Sequence, residues 1–183
     1  MSDLAHEAQT MLRSAECLHD AQAVQHAYDR LAARITAKYA ALDPLFLCVM
    51  IGGLVPAAEL TRRLEFPFEL DYLHATRYRG RTTGTDLVWK AHPTTALSRR
   101  HVLVIDDILD EGHTLLAVQQ ALRAEAPAGL ETVVLCEKRH ARRAAGARAE
   151  YVGLEVEDRY VFGCGMDYKG YFRQLPGIWA VKA

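Results

Sequence analysis

Val102-Leu103-Val104-Ile105-Asp106-Asp107-Ile108-Leu109-Asp110-Glu111-Gly112-His113-Thr114-Leu115 runs from apolar chain straight into acid and then into a glycine. His101 to Ile105 is the strongest strand signal in the sequence, a short continuous apolar run of the kind buried on both faces of a parallel sheet. It delivers two adjacent carboxylates, Asp106 and Asp107, to its end, and a third follows at Asp110. After this acidic turn, Gly112 and Thr114 open an amphipathic helix carrying Leu115, Leu116, Val118, Ala121 and Leu122. The first N–H groups of a helix have no intrahelical partner and the dipole there is positive, so such a start suits a phosphate. Gly112 lets the backbone approach the anion, and Thr114 is placed to add a hydroxyl and cap the helix.

An acidic cap needs no ligand, but it accounts for one carboxylate. Two more at the end of an apolar strand repel each other, and that repulsion has to be offset. Carboxylates accept bonds from sugar hydroxyls, hold Mg2+ or take a proton. The segment therefore points to a site for a phosphorylated sugar with a metal. It is not a P-loop, since G-x-x-x-x-G-K-[ST] is absent, nor a dinucleotide fingerprint, since G-x-G-x-x-G is absent here.

Outward from this turn, the same alternation repeats. Leu45 to Ile51 is a second buried strand, ending on Gly52-Gly53, and a helix with Ala57, Ala58, Leu60 and Leu64 follows. Phe68 to Ala75, Thr132 to Cys136 and Tyr151 to Val156 read as further strands. The first forty residues read as helical, with Val24, Tyr28, Leu31, Ile35 and Leu42 at helical spacing and Pro44 after the end. Residues 79–86 are a polar, glycine-rich loop. Strands alternating with helices predict an α/β fold with a mainly parallel sheet, whose ligands bind at the carboxyl ends of the strands. The turns after Ile51, Ile105 and Cys136 all lie at such ends.

Composition sets bounds. With 183 residues, half of them hydrophobic, the chain is expected to form one domain around one core. A net charge of -1 gives no basic excess for general nucleic-acid binding. No apolar run approaches the roughly 20 residues needed to cross a bilayer, and the first residues do not read as a signal peptide. Cys17, Cys48, Cys136 and Cys164 form no C-x-x-C pair and are expected to be buried, reduced thiols of a cytosolic protein. The eight histidines show no zinc-binding spacing.

The stretch from Val104 to Thr114 resembles the phosphoribosyl pyrophosphate signature of type I phosphoribosyltransferases, and the likeness extends from about Phe46 to Leu175. It implies an α/β type I phosphoribosyltransferase fold: a central, mainly parallel sheet flanked by helices, with a small hood and a mobile lid loop. Residues 1–183 would form a single domain, with 1–42 as an N-terminal helical part and 151–183 as a C-terminal hood that binds the base. By resemblance, Asp106 and Asp107 bind the ribose hydroxyls, directly or through Mg2+, and the turn Asp110, Glu111, Gly112, His113, Thr114 holds the 5′-phosphate. An aspartate at Asp110 is typical of the hypoxanthine-guanine branch, where it faces N7 of the purine as the catalytic base. Its neighbouring carboxylates give it a reason for a raised pKa.

The remaining site residues rest on the same likeness. Ile51-Gly52-Gly53 resembles the pyrophosphate-binding loop, for which the family implies a non-proline cis peptide; many relatives have Lys or Arg where this chain has Ile51. Arg77-Tyr78 and the loop 79–86 resemble the lid, with Arg77 in place of the usual serine. Lys138 matches the lysine that reads the 6-oxo group. Tyr160 would stack on the purine, the Val161 backbone would bond its edge, and Asp167 would hold Mg2+ with Asp106 and Asp107. Arg173 would bind pyrophosphate.

The implied reaction joins a 6-oxopurine base to phosphoribosyl pyrophosphate, giving a nucleoside monophosphate and pyrophosphate in cytoplasmic purine salvage. The alternatives are a xanthine-preferring enzyme and a phosphoribosyltransferase-fold regulator that binds nucleotide and RNA. Among its partners, the resemblance implies a homodimer or homotetramer, no nucleic acid and no membrane.

Overall fold

In the computed structural model, residues 2–77 and 87–182 are described. In chain order the elements are α1 (Asp3–Ser14), β1 (Glu16–His19), α2 (Ala21–Tyr39), β2 (Leu45–Val49), α3 (Leu54–Thr61), β3 (Glu69–Arg77), β4 (Leu87–Ala91), β5 (His101–Leu109), α4 (His113–Arg123), β6 (Gly129–Lys138), β7 (Tyr151–Val156), β8 (Val161–Phe162) and β9 (Ile178–Ala180). Six strands form the main sheet in the order β4-β3-β2-β5-β6-β7. All neighbours are parallel except β3 and β4.

The apolar runs occupy the middle of this sheet because both of its faces are covered. All five residues of β2 are buried. Phe46 and Cys48 point to the face packed by α2 and α3, with Leu103 and Ile105 of β5 beside them. Leu45, Leu47 and Val49 point to the other face, where they meet Val102, Val104 and the α4 residues Leu115, Val118 and Leu122. This is the two-residue period of a strand buried twice. Each fully buried leucine, isoleucine or phenylalanine contributes roughly 1.5–3 kcal/mol of transfer free energy.

The strand β5 is longer than its apolar run. Its ladder with β6 continues through Asp106↔Val134 to Leu109↔Glu137, so Asp106 and Asp107 lie within the strand and not in a turn beyond Ile105. The helical reading of the first forty residues holds for α1 and α2, capped by Ser2 and Asp20, but β1 interrupts it. Leu42 and Leu64 lie past the ends of α2 and α3, although both pack on the core.

A second, antiparallel sheet has the order β1-β9-β8, with Glu16 opposite Ala180 and Val161 opposite Ala180 on the other side. The hood thus takes one strand from the first twenty residues and two from the stretch after β7, while β7 belongs to the main sheet. The expected boundaries at 42 and 151 do not separate these parts. Cys48, Cys136 and Cys164 are buried, but Cys17 in β1 is exposed, against the expectation for all four. The lid residues Tyr78 and 79–86 lie outside the described residues, as does the side chain of Arg77, the last residue of β3. Among the described residues, no helix is long and apolar enough to cross a membrane.

Candidate active site

The turn between β5 and α4 is built for close approach. Gly112 is the residue before α4 and has φ 78°, a left-handed conformation. A Cβ there would lie 2.6 Å from Ala147 Cβ and 2.9 Å from Leu109 Cδ1, so glycine is needed for space as well as for φ. The α4 ladder begins with Leu116 N–H donating to Gly112 O at 2.8 Å. Among the described residues no side chain caps this helix, so Thr114 does not act as the cap expected of it. The first-turn N–H groups are left open toward an anion.

Three stretches of chain meet at Asp107. The Met50–Ile51 peptide is cis, as the resemblance implied, and it leads into Gly52-Gly53. A Cβ on Gly52 would stand 2.1 Å from Asp107 Oδ2. Gly165 packs against the same place, since a Cβ on it would lie 2.2 Å from Gly52 O and 3.1 Å from Asp107 Cβ. The side chain of Ile51 is 52% exposed.

The two strand-end carboxylates are costly to hold. Burial lifts the Asp106 carboxyl well above the ordinary aspartate range, and the charge of Asp107 adds to the rise. Burial lifts Asp107 as well, against the bonds it accepts. Asp107 N–H donates to Asp106 Oδ1 at 2.9 Å, and Ile108 N–H donates to Asp107 Oδ1 at 2.7 Å. Hydroxyl donors or a cation at these oxygens would offset the cost.

Asp110 behaves differently from expectation. Lys138 Nζ donates to its Oδ2 at 2.6 Å, and His140 Nε2 lies 2.6 Å from its Oδ1. Partial burial pushes this carboxyl up, but the bonds from Lys138 and His140 outweigh it and hold Asp110 below the ordinary aspartate value. The raised pKa expected from neighbouring carboxylates therefore belongs to Asp106 and Asp107, not to Asp110. Lys138, at the end of β6, is only 8% exposed.

A cavity of about 390 Å³ is lined by Asp107, Ile108, Asp110, Lys138, Tyr160, Val161, Met166 and Asp167. Tyr160 is 52% exposed and meets Tyr168 edge-on at 5.6 Å. Phe162 is fully buried and is core. Asp167 is held by Arg173, whose Nη2 lies 2.5 Å from Oδ1, while Gly170 N–H donates to Oδ2 at 2.6 Å. Arg173 Nη1 also donates to Gly165 O at 2.6 Å, which ties it to the Gly52 contact.

Six of the residues singled out from the sequence thus share one cavity: Asp107, Asp110, Lys138, Tyr160, Val161 and Asp167. Asp106 is beside it in β5, and Glu111, Gly112, His113 and Thr114 form the adjoining turn into α4. Gly52 joins through Asp107 and Arg173 through Asp167. Of the three carboxylates in this cavity, Asp107 and Asp167 suit a hard divalent cation that completes its shell from substrate oxygens and water. Among the described residues, no group of three or more His, Cys, Asp or Glu side chains forms a ready cage.

Residues 14–169 match the model of the phosphoribosyl transferase domain. The chain belongs to this family. Among phosphoribosyltransferases, a hypoxanthine-guanine-xanthine phosphoribosyltransferase of Tritrichomonas foetus is 32% identical over 165 residues, covering 90% of each chain. A hypoxanthine-guanine phosphoribosyltransferase of Streptococcus pneumoniae is 28% identical over 160 residues, covering 87% of this chain and 88% of its own. A solved hypoxanthine phosphoribosyltransferase of Staphylococcus aureus superposes with a TM-score of 0.88 at 27% identity, covering 94% of this chain and 95% of its own. The expected phosphoribosyltransferase fold and the branch suggested by Asp110 agree with these likenesses.

Sequence reasoning missed two residues of this phosphoribosyltransferase site. His140 was one of eight scattered histidines, yet it touches Asp110. Arg142 was not singled out, yet it makes a bidentate pair with Asp158 at 2.6 and 2.8 Å. A signal for His140 existed: it stands two residues after Lys138 at a strand end, where alternate side chains share a side.

Proposed function

We propose that this chain transfers the 5-phosphoribosyl group of phosphoribosyl pyrophosphate to hypoxanthine or guanine, giving IMP or GMP and pyrophosphate, in purine salvage. The observation that carries the proposal is the Lys138–Asp110 pair, 2.6 Å apart, in a cavity that also holds Tyr160 and adjoins an uncapped helix start. Lys138 donates to the exocyclic 6-oxygen, which disfavours a 6-amino group. Tyr160 stacks on the ring and the Val161 backbone bonds its edge. The backbone from Asp110 to Thr114 receives the 5′-phosphate. Asp106 and Asp107 accept from the ribose hydroxyls, and Gly52, Gly53 and Arg173 face the pyrophosphate.

Asp110 accepts the N7 proton as N9 bonds to C1′ of the sugar. In the free protein its ionised form is stabilised by Lys138. When Lys138 turns to the 6-oxygen, that stabilisation weakens and Asp110 becomes a better base, so binding of the correct substrate itself prepares the proton acceptor. Mg2+, when bound, supplies positive charge to the pyrophosphate leaving group, and Asp107 and Asp167, with Asp106 behind them, are the residues that would hold it. The chain works as one phosphoribosyltransferase domain, in the cytoplasm, as a homodimer or homotetramer.

The test is turnover with phosphoribosyl pyrophosphate and Mg2+ on hypoxanthine, guanine, xanthine, adenine and uracil in parallel. Conversion of hypoxanthine and guanine alone supports the reading. Xanthine is included because the Tritrichomonas relative is named for it as well. Conversion of adenine or uracil instead would refute the roles of Lys138 and Asp110, and nucleotide binding without any turnover would favour a regulator.

A further inference from the structure

We infer that His140 is a positioning residue for Asp110: it holds one carboxylate oxygen so that the other stays aimed at the base when Lys138 leaves it. The inference rests on the reading of this cavity as a 6-oxopurine site. The imidazole is only 3% exposed, and its Nε2 lies 2.6 Å from Asp110 Oδ1. Its other nitrogen, Nδ1, accepts the Arg142 backbone N–H at 3.1 Å. A nitrogen that accepts from an amide carries no hydrogen, so the ring proton is on Nε2 and is donated to Asp110. Both ring nitrogens are thereby committed, and the ring cannot turn without breaking a bond.

The segment that carries His140 is itself anchored to both halves of the site. The Arg142 guanidinium grips Asp158, two residues before Tyr160, and its Nε lies 3.5 Å from Glu111 in the phosphate turn. Ala144 N–H donates to Glu111 O at 2.8 Å. His140 therefore stands on a brace between the segment that would stack the base and the turn that would hold the phosphate. The charged groups about it are Asp110 and Lys138 at the site and Arg142, Asp158 and Glu111 on the brace.

Among the described residues, each Asp110 oxygen has one donor in the free protein, Lys138 on Oδ2 and His140 on Oδ1. The base takes Lys138 away, leaving Oδ2 to meet N7–H. The terminal torsion of an aspartate is broad, and without a second donor the carboxylate would rotate. His140 is not a proton relay. Passing a proton onward would need a free Nδ1, and that atom already accepts from Arg142. The N7–H bond breaks, the Oδ2–H bond forms, and the proton remains on Asp110 until product leaves.

The experiment compares His140→Leu, which keeps bulk and loses the donor, with His140→Gln, whose amide nitrogen lies near the place of Nε2. In H140L the expected kcat loss is roughly ten- to a hundredfold, the scale of a misplaced reacting group, with the KM for phosphoribosyl pyrophosphate unchanged. The acid limb of the kcat/KM profile for the base moves to higher pH, because a donor that favours ionised Asp110 is gone. H140Q restores both the rate and the limb. A merely structural role would lower the melting temperature without moving the acid limb.

The role is overturned if H140L keeps kcat within about twofold with an unmoved limb, or if H140L and H140Q lose activity equally. A readout without turnover separates this from the reading of the substrate. The Asp110 carboxyl titration, followed by carbon NMR and assigned with Asp110→Asn, should rise in H140L and return in H140Q. Lack of wild-type turnover on every base sinks the 6-oxopurine reading, whereas an unmoved Asp110 titration sinks the role of His140.

Discussion

Replacing Gly112 with alanine tests the architecture of the phosphate turn with one methyl group. The left-handed φ of 78° costs a residue with a Cβ about 1–2 kcal/mol. The new methyl would also stand 2.6 Å from Ala147 Cβ, which is fixed to its backbone, and 2.9 Å from Leu109 Cδ1, which is fully buried, both far inside contact distance. Overpacking of this kind typically costs about 1–3 kcal/mol, so the whole penalty is about 2–5 kcal/mol. Thermal unfolding is the assay. At this chain length each kcal/mol lowers the midpoint by roughly 2–4 °C, so G112A should melt at least about 4 °C lower. The double variant G112A/A147G removes the closer clash and keeps the torsional cost, so it should recover part of the loss and not all of it. A G112A protein that melts with the wild type would refute the claim that this position is closed to a side chain. So would a double variant no more stable than G112A alone, since the Ala147 contact would then carry none of the cost.

Asp110→Asn should lower kcat by roughly 10²–10⁴-fold, the usual worth of a general base, while leaving the affinity for phosphoribosyl pyrophosphate near that of the wild type; unchanged turnover would remove Asp110 from the chemistry. A third prediction concerns stability away from the site. Glu131 accepts from Tyr39 and Tyr151 hydroxyls, each at 2.9 Å, and pairs with Lys38. Burial raises its carboxyl, but these partners outweigh burial and hold it below the ordinary glutamate value. A carboxyl lowered on folding stabilises the protein above its unfolded value, and that share is lost as the pH falls toward the folded value. The melting temperature should therefore decline on acidification, and Glu131→Gln should make the decline shallower; equal slopes would show that Glu131 is not responsible.

What could be read from the sequence was what is local. The β5–α4 turn was legible because apolar run, acid pair and glycine follow one another within a few residues. The limits of β7 at Tyr151 and Val156 were legible because Tyr151, Val152, Leu154 and Val156 concentrate strand-forming residues within six positions. The end of β5 was misplaced for a physical reason: polar residues ordinarily mark the end of a buried strand, but here the ladder to β6 carries Asp106 and Asp107 onward. β1 has four residues and exists through its pairing with β9, some 160 positions away, so its own stretch gave no sign of it. The low pKa of Asp110 depends on Lys138 and His140, which lie 28 and 30 residues further on. Carboxylates close in sequence suggested repulsion, and cations close in space decided the outcome.

The order of the hood strands has a consequence for synthesis. β9 lies between β1 and β8, and Val181 N–H donates to Tyr160 O at 2.9 Å. The β5–α4 turn and the Asp110–Lys138–His140 cluster are built from residues before 160, all of which leave the ribosome ahead of β9. Tyr160, which lines the cavity, gains its anchor only when Ile178 to Val181 emerge. A nascent chain would therefore carry the β5–α4 turn and its acidic residues before the hood strand that anchors Tyr160 is in place.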